Sequence, residues 1–292
     1  MFESIDQVQE AFGLQSYIMD RSLATAFFLA GKLEKPIFLE GEAGVGKTEA
    51  SKALASILGT HLVRLQCYEG LDARQALYEW NYSRQMLHIR MQESAKKEVR
   101  EEDLFSEKFL LKRPLLEAIT SPVQTVLLID EIDRSDVEFE AFLLEILSDF
   151  QITIPEIGTI QAVNKPFVVI TSNQTREVHD ALKRRCLYTW IEFPAFDKEL
   201  EIVRIKNPGI QEKLASDITH FVQALRKEDL YKKPGVAETL DWANALVHLS
   251  QNTLSEILID QTMGVLLKHR DDIESIQGQP VRNILESIGI ES

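Results

Sequence analysis

The apolar positions along the chain form short continuous runs that alternate with longer stretches of helical spacing. Five such runs, PIFLE, HLVRLQC, TVLLIDE, PFVVITSN and TWIEFP, cover residues 36–40, 61–67, 125–131, 166–173 and 189–194. The third of these runs, TVLLIDE, is continuous and apolar, which is typical of a strand buried on both faces. The segment TEASKALASIL after the first run has the spacing and the strong helix formers of an α-helix. This alternation predicts a parallel sheet with helices on both faces.

The pattern changes after Pro194. From Lys198 onward most apolar residues recur with helical spacing, and the segments NPG and KKPG interrupt that spacing as breaks. We therefore predict two domains, an α/β domain over residues 1–196 and an all-helical domain over residues 197–292.

Composition and charge narrow the class of protein. The chain has 292 residues, of which 45% are apolar and 27% charged, and its formal net charge is −14. Excess acid argues against a broad nucleic-acid surface, which needs clustered Lys and Arg. The N-terminal segment MFESIDQVQE lacks the basic region of a signal peptide, and the apolar segment LATAFFLA is too short to span a membrane. Cys67 and Cys186 lack metal-ligand spacing, so we expect two reduced thiols in a cytoplasmic protein.

A glycine-rich loop joins the first predicted strand to the helix after it, in the segment EGEAGVGKTE. Its glycines let the backbone approach phosphate oxygens, and its N–H groups lie at a helix N-terminus, where anions bind. A lysine at this spacing reaches the β- and γ-phosphates, and the next hydroxyl ligates Mg²⁺. The candidate nucleotide-binding residues are Gly41, Glu42, Ala43, Gly44, Val45, Gly46, Lys47, Thr48 and Glu49.

A pair of acidic residues ends the third predicted strand, in the segment VLLIDEIDR. Ligands of an open parallel sheet bind at the carboxyl ends of its strands. We therefore expect Asp130 to hold Mg²⁺ together with Thr48, and Glu131 to act as the general base that polarises the attacking water.

These two motifs, with TSN after the fourth strand and an arginine pair before the fifth, resemble those of AAA+ ATPases. The chain is more similar still to the MoxR branch of that superfamily. Three segments within it look like CoxD-type members, which are associated with maturation of the molybdenum-containing carbon monoxide dehydrogenase and related hydroxylases. These segments are LQCYEGLDARQALYEWNY, DEIDRSDVEFEAFLLEILSDFQITIPEIGTI and LKRRCLYTWIEFP. The similarity covers nearly the whole chain.

The resemblance implies an α/β fold, the AAA+ P-loop NTPase core. Its parallel five-stranded sheet, of order 5-1-4-3-2 counted along the chain, lies between helices, and an all-α lid domain follows. The resemblance also implies ATP and Mg²⁺ as the bound groups and ATP hydrolysis as the reaction.

The resemblance alone implies roles for three further residues. Asn173 matches the polar residue called sensor 1, which orients the water or contacts the γ-phosphate. Arg184 and Arg185 lie where the family has its arginine finger, which stabilises transition-state charge in the neighbouring subunit. We favour Arg185 because it directly precedes the hydrophobic position Cys186.

The sequence departs from the family pattern at sensor 2. Many MoxR relatives have an arginine early in a lid helix, whereas the matching segment here, PGVAETLDW at residues 234–242, contains none. Lys232 and Lys233 are the nearest cations in the sequence.

Two segments resemble insertions of the branch, near residues 77–92 and 150–162. FQITIPEIGTI alternates apolar and polar residues around PEIG, which predicts a hairpin. In the first segment Tyr78, Trp80 and Tyr82 occupy alternate positions of a second candidate hairpin. These aromatic residues form either one buried strand face or a grip on a substrate.

The sequence thus predicts a cytoplasmic MoxR-type ATPase that forms a ring, a hexamer, because a finger must act in trans. Its partners would be further copies of itself, a von Willebrand factor A domain protein and a protein client such as a molybdenum hydroxylase. We expect no membrane partner and no nucleic acid. Two alternatives remain, a slow nucleotide switch that recruits a von Willebrand factor A partner and a nucleic-acid-directed AAA+ motor.

Overall fold

The structure is a computed structural model that describes residues 2–96 and 100–290. Nine strands are present in these residues: β1 (Ile37–Gly41), β2 (Leu62–Gln66), β3 (Tyr78–Trp80), β4 (Leu110–Lys112), β5 (Val126–Asp130), β6 (Gln151–Ile154), β7 (Gly158–Gln161), β8 (Phe167–Ser172) and β9 (Leu187–Ile191).

The first nine helices lie among and before these strands. They are α1 (Ile5–Leu14), α2 (Arg21–Leu33), α3 (Lys47–Leu58), α4 (Ala73–Leu77), α5 (Tyr82–Ser94), α6 (Glu101–Leu104), α7 (Pro114–Ile119), α8 (Val137–Asp149) and α9 (Asp180–Lys183). Two short 3-10 helices cover Glu107–Phe109 and Ile132–Arg134.

Six helices follow the last strand in the described part of the chain. They are α10 (Phe196–Lys206), α11 (Glu212–Leu225), α12 (Val236–His248), α13 (Glu256–Leu266), α14 (Arg270–Ile276) and α15 (Gln279–Ser287).

Five strands form one sheet, in the order β2-β5-β8-β1-β9. Strand β5 pairs in parallel with both β2 and β8, and β8 pairs in parallel with β1. Strands β1, β5 and β8 are buried at every position, as expected of continuous apolar runs inside a covered parallel sheet. The predicted α/β fold and its strand order 5-1-4-3-2 are thereby confirmed, together with the helical C-terminal region.

The chain divides into two compact units, each with its own apolar core. The first unit contains Met1–Ala11, Asp20–Glu40 and Thr48–Trp190. The second unit contains Phe12–Met19, Gly41–Lys47 and Ile191–Ser292. The sequence-based boundary at residue 196 stays a prediction.

The segment 77–92 does not form the hairpin that its alternating aromatic residues suggested. Strand β3 pairs antiparallel with β4, which lies about thirty residues further along, and helix α5 begins immediately after Asn81. The Asn81 side chain accepts a hydrogen bond from the Arg84 N–H and caps this helix, so the strand ends where the cap begins. Trp80 is buried in the core against Phe105, whereas Tyr82 on the helix is exposed. Trp80 is therefore a core residue and not part of a substrate grip.

The segment after α8 does fold as a hairpin, in which β6 and β7 pair antiparallel around Pro155–Ile157. In the described residues no helix is both long and apolar enough to cross a membrane.

Candidate active site

The glycine-rich loop runs from the end of β1 to the start of α3, and two of its positions favour glycine, Gly41 through a close backbone contact and Gly44 through its positive φ. A Cβ atom on Gly41 would lie 2.2 Å from the Ile191 carbonyl oxygen. Gly44 has a φ of +78°, and a Cβ there would lie 2.9 Å from the Glu238 carboxylate. The loop therefore takes this path most readily with glycine at both positions.

Lys47, the first residue of α3, is buried and bonded to its own loop. Its ammonium nitrogen donates to the carbonyl oxygens of Gly41 and Glu42, both at 2.6 Å. The next turn of α3 faces outward at Glu49, which pairs with Lys52 at 2.8 Å. The Glu49 carboxylate is therefore engaged on the surface of the helix, and its predicted role in nucleotide binding stays a prediction.

The start of helix α12 contacts the same loop through its backbone. The Ala237 N–H donates to the Gly44 carbonyl oxygen at 3.2 Å. This is the helix in which the family resemblance expects a sensor 2 arginine and the sequence has none. Backbone contact, rather than a cationic side chain, links this helix to the loop.

Asp130, at the carboxyl end of β5, is buried, and one of its side-chain oxygens accepts two hydrogen bonds. Its Oδ1 accepts from the Thr48 hydroxyl at 3.1 Å and from the Thr171 hydroxyl at 2.5 Å. A carboxylate beside a hydroxyl at the start of a helix supplies the hard oxygen ligands that Mg²⁺ prefers. Thr48 and Asp130 thus fit the predicted metal.

Arg64 covers the other oxygen of Asp130. This arginine projects from β2, the neighbouring edge strand, and two of its nitrogens lie 2.5 Å and 3.0 Å from Oδ2. The same guanidinium donates to the Gln66 side-chain oxygen at 2.5 Å.

Glu131 follows Asp130 with a left-handed backbone, at a φ of +55°, which is costly for a residue with a side chain. Its Oε1 accepts from the Asn173 amide at 3.2 Å, and its Oε2 accepts from the Gln66 amide at 2.9 Å. Arg134 lies 3.1 Å from the same Oε2. The predicted base and the predicted sensor 1 residue are therefore in direct contact.

Asp133 fixes the loop that carries Asn173. Its buried carboxylate accepts from the Asn173 N–H at 3.1 Å and from the Thr175 N–H and hydroxyl at 2.9 Å and 2.7 Å. Burial alone would raise the pKa of Asp133, but the hydrogen bonds from Thr175 and Asn173 outweigh it and lower that pKa below its usual value. The carboxylate is charged at neutral pH and anchors Asn173.

The two candidate finger arginines differ in their surroundings. Arg185 donates to the Leu144 carbonyl oxygen and to the Ser148 hydroxyl, both on helix α8. Arg184 is 81% exposed and lies 3.8 Å from Asp180, so it is held only loosely.

Lys183, which precedes the arginine pair, forms an ion pair with Glu40, which precedes the glycine loop. Lys183 lies 3.1 Å from the buried carboxylate of Glu40, which also accepts from the Tyr188 hydroxyl at 2.8 Å. Burial, together with this hydrogen bond to Glu40, raises the pKa of Tyr188 to about 12, so its hydroxyl keeps its proton. Lys183 thus fixes where the arginine segment starts.

Neither cysteine is available for chemistry. Cys67 and Cys186 are both free thiols, and burial raises the pKa of each to about 12. Both remain protonated at neutral pH.

Sequence reasoning missed Arg64, Gln66, Asp133 and Lys183. A signal existed for the first two, because they are the polar positions of an alternating strand that the family order places beside the strand of Asp130. Asp133 and Lys183 had no such signal, since their partners lie about 40 and 143 residues away in sequence.

The chain matches the family described as AAA domain (dynein-related subfamily) over residues 36–186, more than half of its length. No curated protein matches it. Among solved structures, a point mutant of RuvB from Thermotoga maritima is similar at 18% identity, with a TM-score of 0.50 over 99% of this chain and 83% of that one.

Two other solved structures are similar over most of their length. The Thermotoga maritima RuvB Holliday junction branch migration motor has 19% identity and a TM-score of 0.48, over 93% of this chain and 80% of that one. A proposed ATPase from Cytophaga hutchinsonii has 15% identity and a TM-score of 0.48, over 99% and 95%. At these identities the likeness concerns the fold. The family match spans the glycine loop and both acidic residues, Asp130 and Glu131. The chain therefore belongs to the AAA domain family, dynein-related subfamily.

Proposed function

We propose that this chain is a MoxR-type AAA+ ATPase that hydrolyses ATP and uses the energy to remodel a protein client. One observation carries the proposal. The carboxylate of Glu131 is held by the Asn173 amide at 3.2 Å, directly after Asp130, which the Thr48 hydroxyl contacts at 3.1 Å. A carboxylate base beside a metal-ligand pair is an arrangement that can hydrolyse a nucleoside triphosphate.

Each residue has one task in this proposal. The backbone N–H groups of the loop from Gly41 to Gly46 bind phosphate oxygens, and Lys47 pairs with the β- and γ-phosphates. Thr48 and Asp130 hold Mg²⁺, which neutralises charge on the phosphate oxygens when bound. Glu131 accepts the proton of the attacking water, and Asn173 orients that water.

The contacts of Glu131 also support a second candidate, a slow nucleotide switch that recruits a von Willebrand factor A partner. Both carboxylate oxygens are occupied by donors, from Asn173 on one side and from Gln66 and Arg134 on the other. A carboxylate whose two oxygens already contact three side chains must give up at least one of these contacts before it can bond to an attacking water. Turnover without a partner would then be slow, and a partner would raise it.

A ring of copies, a hexamer, is the proposed working form, because a finger arginine must reach a neighbour's nucleotide. Arg185 is the choice from sequence, but its bonds to α8 use its guanidinium within its own subunit. The exposed Arg184 is free of such bonds to α8 and is the first residue to test beside it.

The proposed clients are proteins, among them a molybdenum hydroxylase during cofactor insertion, as the CoxD-type resemblance implies. Helix α5 supports a protein client because it exposes apolar side chains, namely Tyr82, Met86, Leu87 and Met91. Such side chains suit polypeptide better than a phosphate backbone, and the net charge of −14 points the same way.

Titration calorimetry of Lys47→Ala tests the binding half of the proposal. Loss of the ammonium should abolish measurable ATP binding, while Lys52→Ala on the exposed face of the same helix should bind as the wild type does. Wild-type affinity in folded Lys47→Ala would contradict the assignment of the loop.

Phosphate release with and without a von Willebrand factor A protein separates the motor from the switch. A motor turns over without the partner, whereas a switch turns over measurably only with it. Tight, salt-sensitive binding of DNA or RNA would instead favour the nucleic-acid motor.

A mixed-assembly experiment tests the finger. Each of Arg184→Ala and Arg185→Ala is combined with Lys47→Ala, so that an intact loop can face an intact finger. Activity should return with the arginine that acts in trans, and no recovery in verified mixed rings would count against both.

A further inference from the structure

The guanidinium of Arg64 lies where a cation is needed at the proposed metal site. Its Nη2 and Nε lie 2.5 Å and 3.0 Å from Oδ2 of Asp130, while Thr48 and Thr171 donate to Oδ1. Both side-chain oxygens of Asp130 thus accept hydrogen bonds from residues of the same chain. The charge of this almost fully buried carboxylate is balanced by the arginine.

The same guanidinium also touches the residue that holds the proposed base. Arg64 Nη2 donates to the side-chain oxygen of Gln66 at 2.5 Å, and the Gln66 amide donates to Glu131 at 2.9 Å. A continuous chain of hydrogen bonds therefore joins Asp130, Arg64, Gln66 and Glu131.

Arg64 is far more accessible to solvent than the carboxylate that it pairs with. Its side chain is 50% exposed, whereas that of Asp130 is 3% exposed. Edge strand β2 leaves its outer polar positions open to solvent, so the guanidinium can move into water once another cation balances the charge of Asp130.

We propose that Arg64 is a positioning residue that neutralises Asp130 in the absence of metal and releases it when Mg²⁺ and nucleotide bind. Its departure frees Oδ2 of Asp130 and withdraws its hydrogen bond from Gln66. This rests on the proposed function, in which Thr48 and Asp130 hold the metal.

Metal binding, rather than turnover, provides the direct test. Mn²⁺ is titrated into the full chain with a non-hydrolysable ATP analogue no more concentrated than the protein, and free Mn²⁺ is followed by electron paramagnetic resonance. A titration of the same analogue without protein is subtracted, because the analogue itself binds Mn²⁺. Arg64→Met should bind Mn²⁺ about five- to tenfold more tightly than the wild type, the factor expected when a half-exposed competing charge is removed. Unchanged or weaker Mn²⁺ binding in the folded variant would overturn the proposal.

Arg134→Met is the matched control for net charge. It removes the same charge from a neighbouring carboxylate, because Arg134 lies 3.1 Å from Glu131 and not on Asp130. Its Mn²⁺ affinity should change less than twofold, and an equal tightening in both variants would reduce the effect to bulk charge and refute the proposal. If Arg64→Met does not fold, Arg64→Lys provides the test. A single ammonium should compete less well with the metal than the guanidinium does, so Mn²⁺ should bind about two- to threefold more tightly than to the wild type.

The same titration distinguishes failure of this proposal from failure of the proposed function. Asp130→Asn should abolish Mn²⁺ binding at this site whatever the role of Arg64. If the wild type binds no Mn²⁺, or Asp130→Asn binds it normally, the metal assignment itself is wrong. If only the Arg64 variants behave as the wild type does, the proposed role of Arg64 is wrong and the metal site stands.

Discussion

Each of the two units contains a buried carboxylate neutralised by an arginine, and the two pairs differ in how the arginine is enclosed. In the second unit Arg226 forks onto Glu199 with two bonds of 2.6 Å, and the side chains are only 6% and 0% exposed. In the first unit Arg64 lies on Asp130, which is equally buried, but half of the arginine side chain faces solvent.

This difference separates a structural pair from an exchangeable one. Arg226 is further bound to the Pro234 carbonyl oxygen, and Thr239 also donates to Glu199, so the cation of the second unit is enclosed by its own packing. The cation on Asp130 has one open side and can be replaced. A carboxylate that holds a metal, as proposed for Asp130, must be neutralised reversibly, whereas one that joins three helices need not be.

Breaking the enclosed pair should have the largest effect on stability. Arg226→Met leaves Glu199 as a buried, unpaired charge and should lower the free energy of unfolding by about 3–5 kcal/mol. Urea unfolding, with hydrogen exchange of helices α10 to α12, measures this loss. Arg270→Met, which breaks an exposed pair with Glu274, should cost less than about 1 kcal/mol. Equal losses in the two variants would contradict the comparison.

The pair of Lys183 and Glu40 is intermediate, since the lysine side chain is 24% exposed and the carboxylate is buried. Lys183→Met should cost about 2 kcal/mol, because Tyr188 and Ser172 still satisfy part of the carboxylate. Adding Glu40→Gln to the same chain should restore part of the loss, because the unpaired charge is then gone. Losses that simply add in the double mutant would show that the two side chains are not coupled.

Asp133 sharpens the comparison because hydrogen bonds, rather than an arginine, hold its charge. Asp133→Asn should cost about 1–2 kcal/mol at neutral pH, the range for hydrogen bonds to a charged group. Its lowered pKa means that this stability is present above the ordinary carboxyl pKa, near 3.9, and disappears as the pH falls through the lowered value. Urea unfolding of both proteins across acid pH should show their difference shrinking below about pH 4. A gap that is independent of pH would contradict this.

The sheet could be predicted from the sequence because its inner strands are apolar at every position. The ends of strands were less predictable, since pairing decides them. The last strand was expected at residues 189–194 but spans Leu187–Ile191, where the Leu187 N–H bonds to the Pro36 carbonyl oxygen. The hairpin predicted for residues 77–92 was wrong for a related reason, because the partner of β3 is β4 rather than a neighbouring segment.

The site could be predicted where its chemistry is local in sequence. Thr48, Asp130, Glu131 and Asn173 follow strand ends, and the fold brings such ends together. The residues that hold them in place could not be predicted the same way. Arg64 meets Asp130 only because β2 pairs with β5 in one particular register, and no short motif specifies that register.

The central claim is that Glu131 serves as the base of ATP hydrolysis, and single-turnover hydrolysis by Glu131→Gln tests it most directly. The amide keeps the shape and the hydrogen bonds of the side chain but cannot accept the proton. ATP affinity should stay within about twofold of the wild type, and the rate should fall at least ~100-fold. Glu138→Gln, the same change at an exposed position of helix α8, should hydrolyse as the wild type does. An unchanged rate in Glu131→Gln with ATP bound would contradict the account.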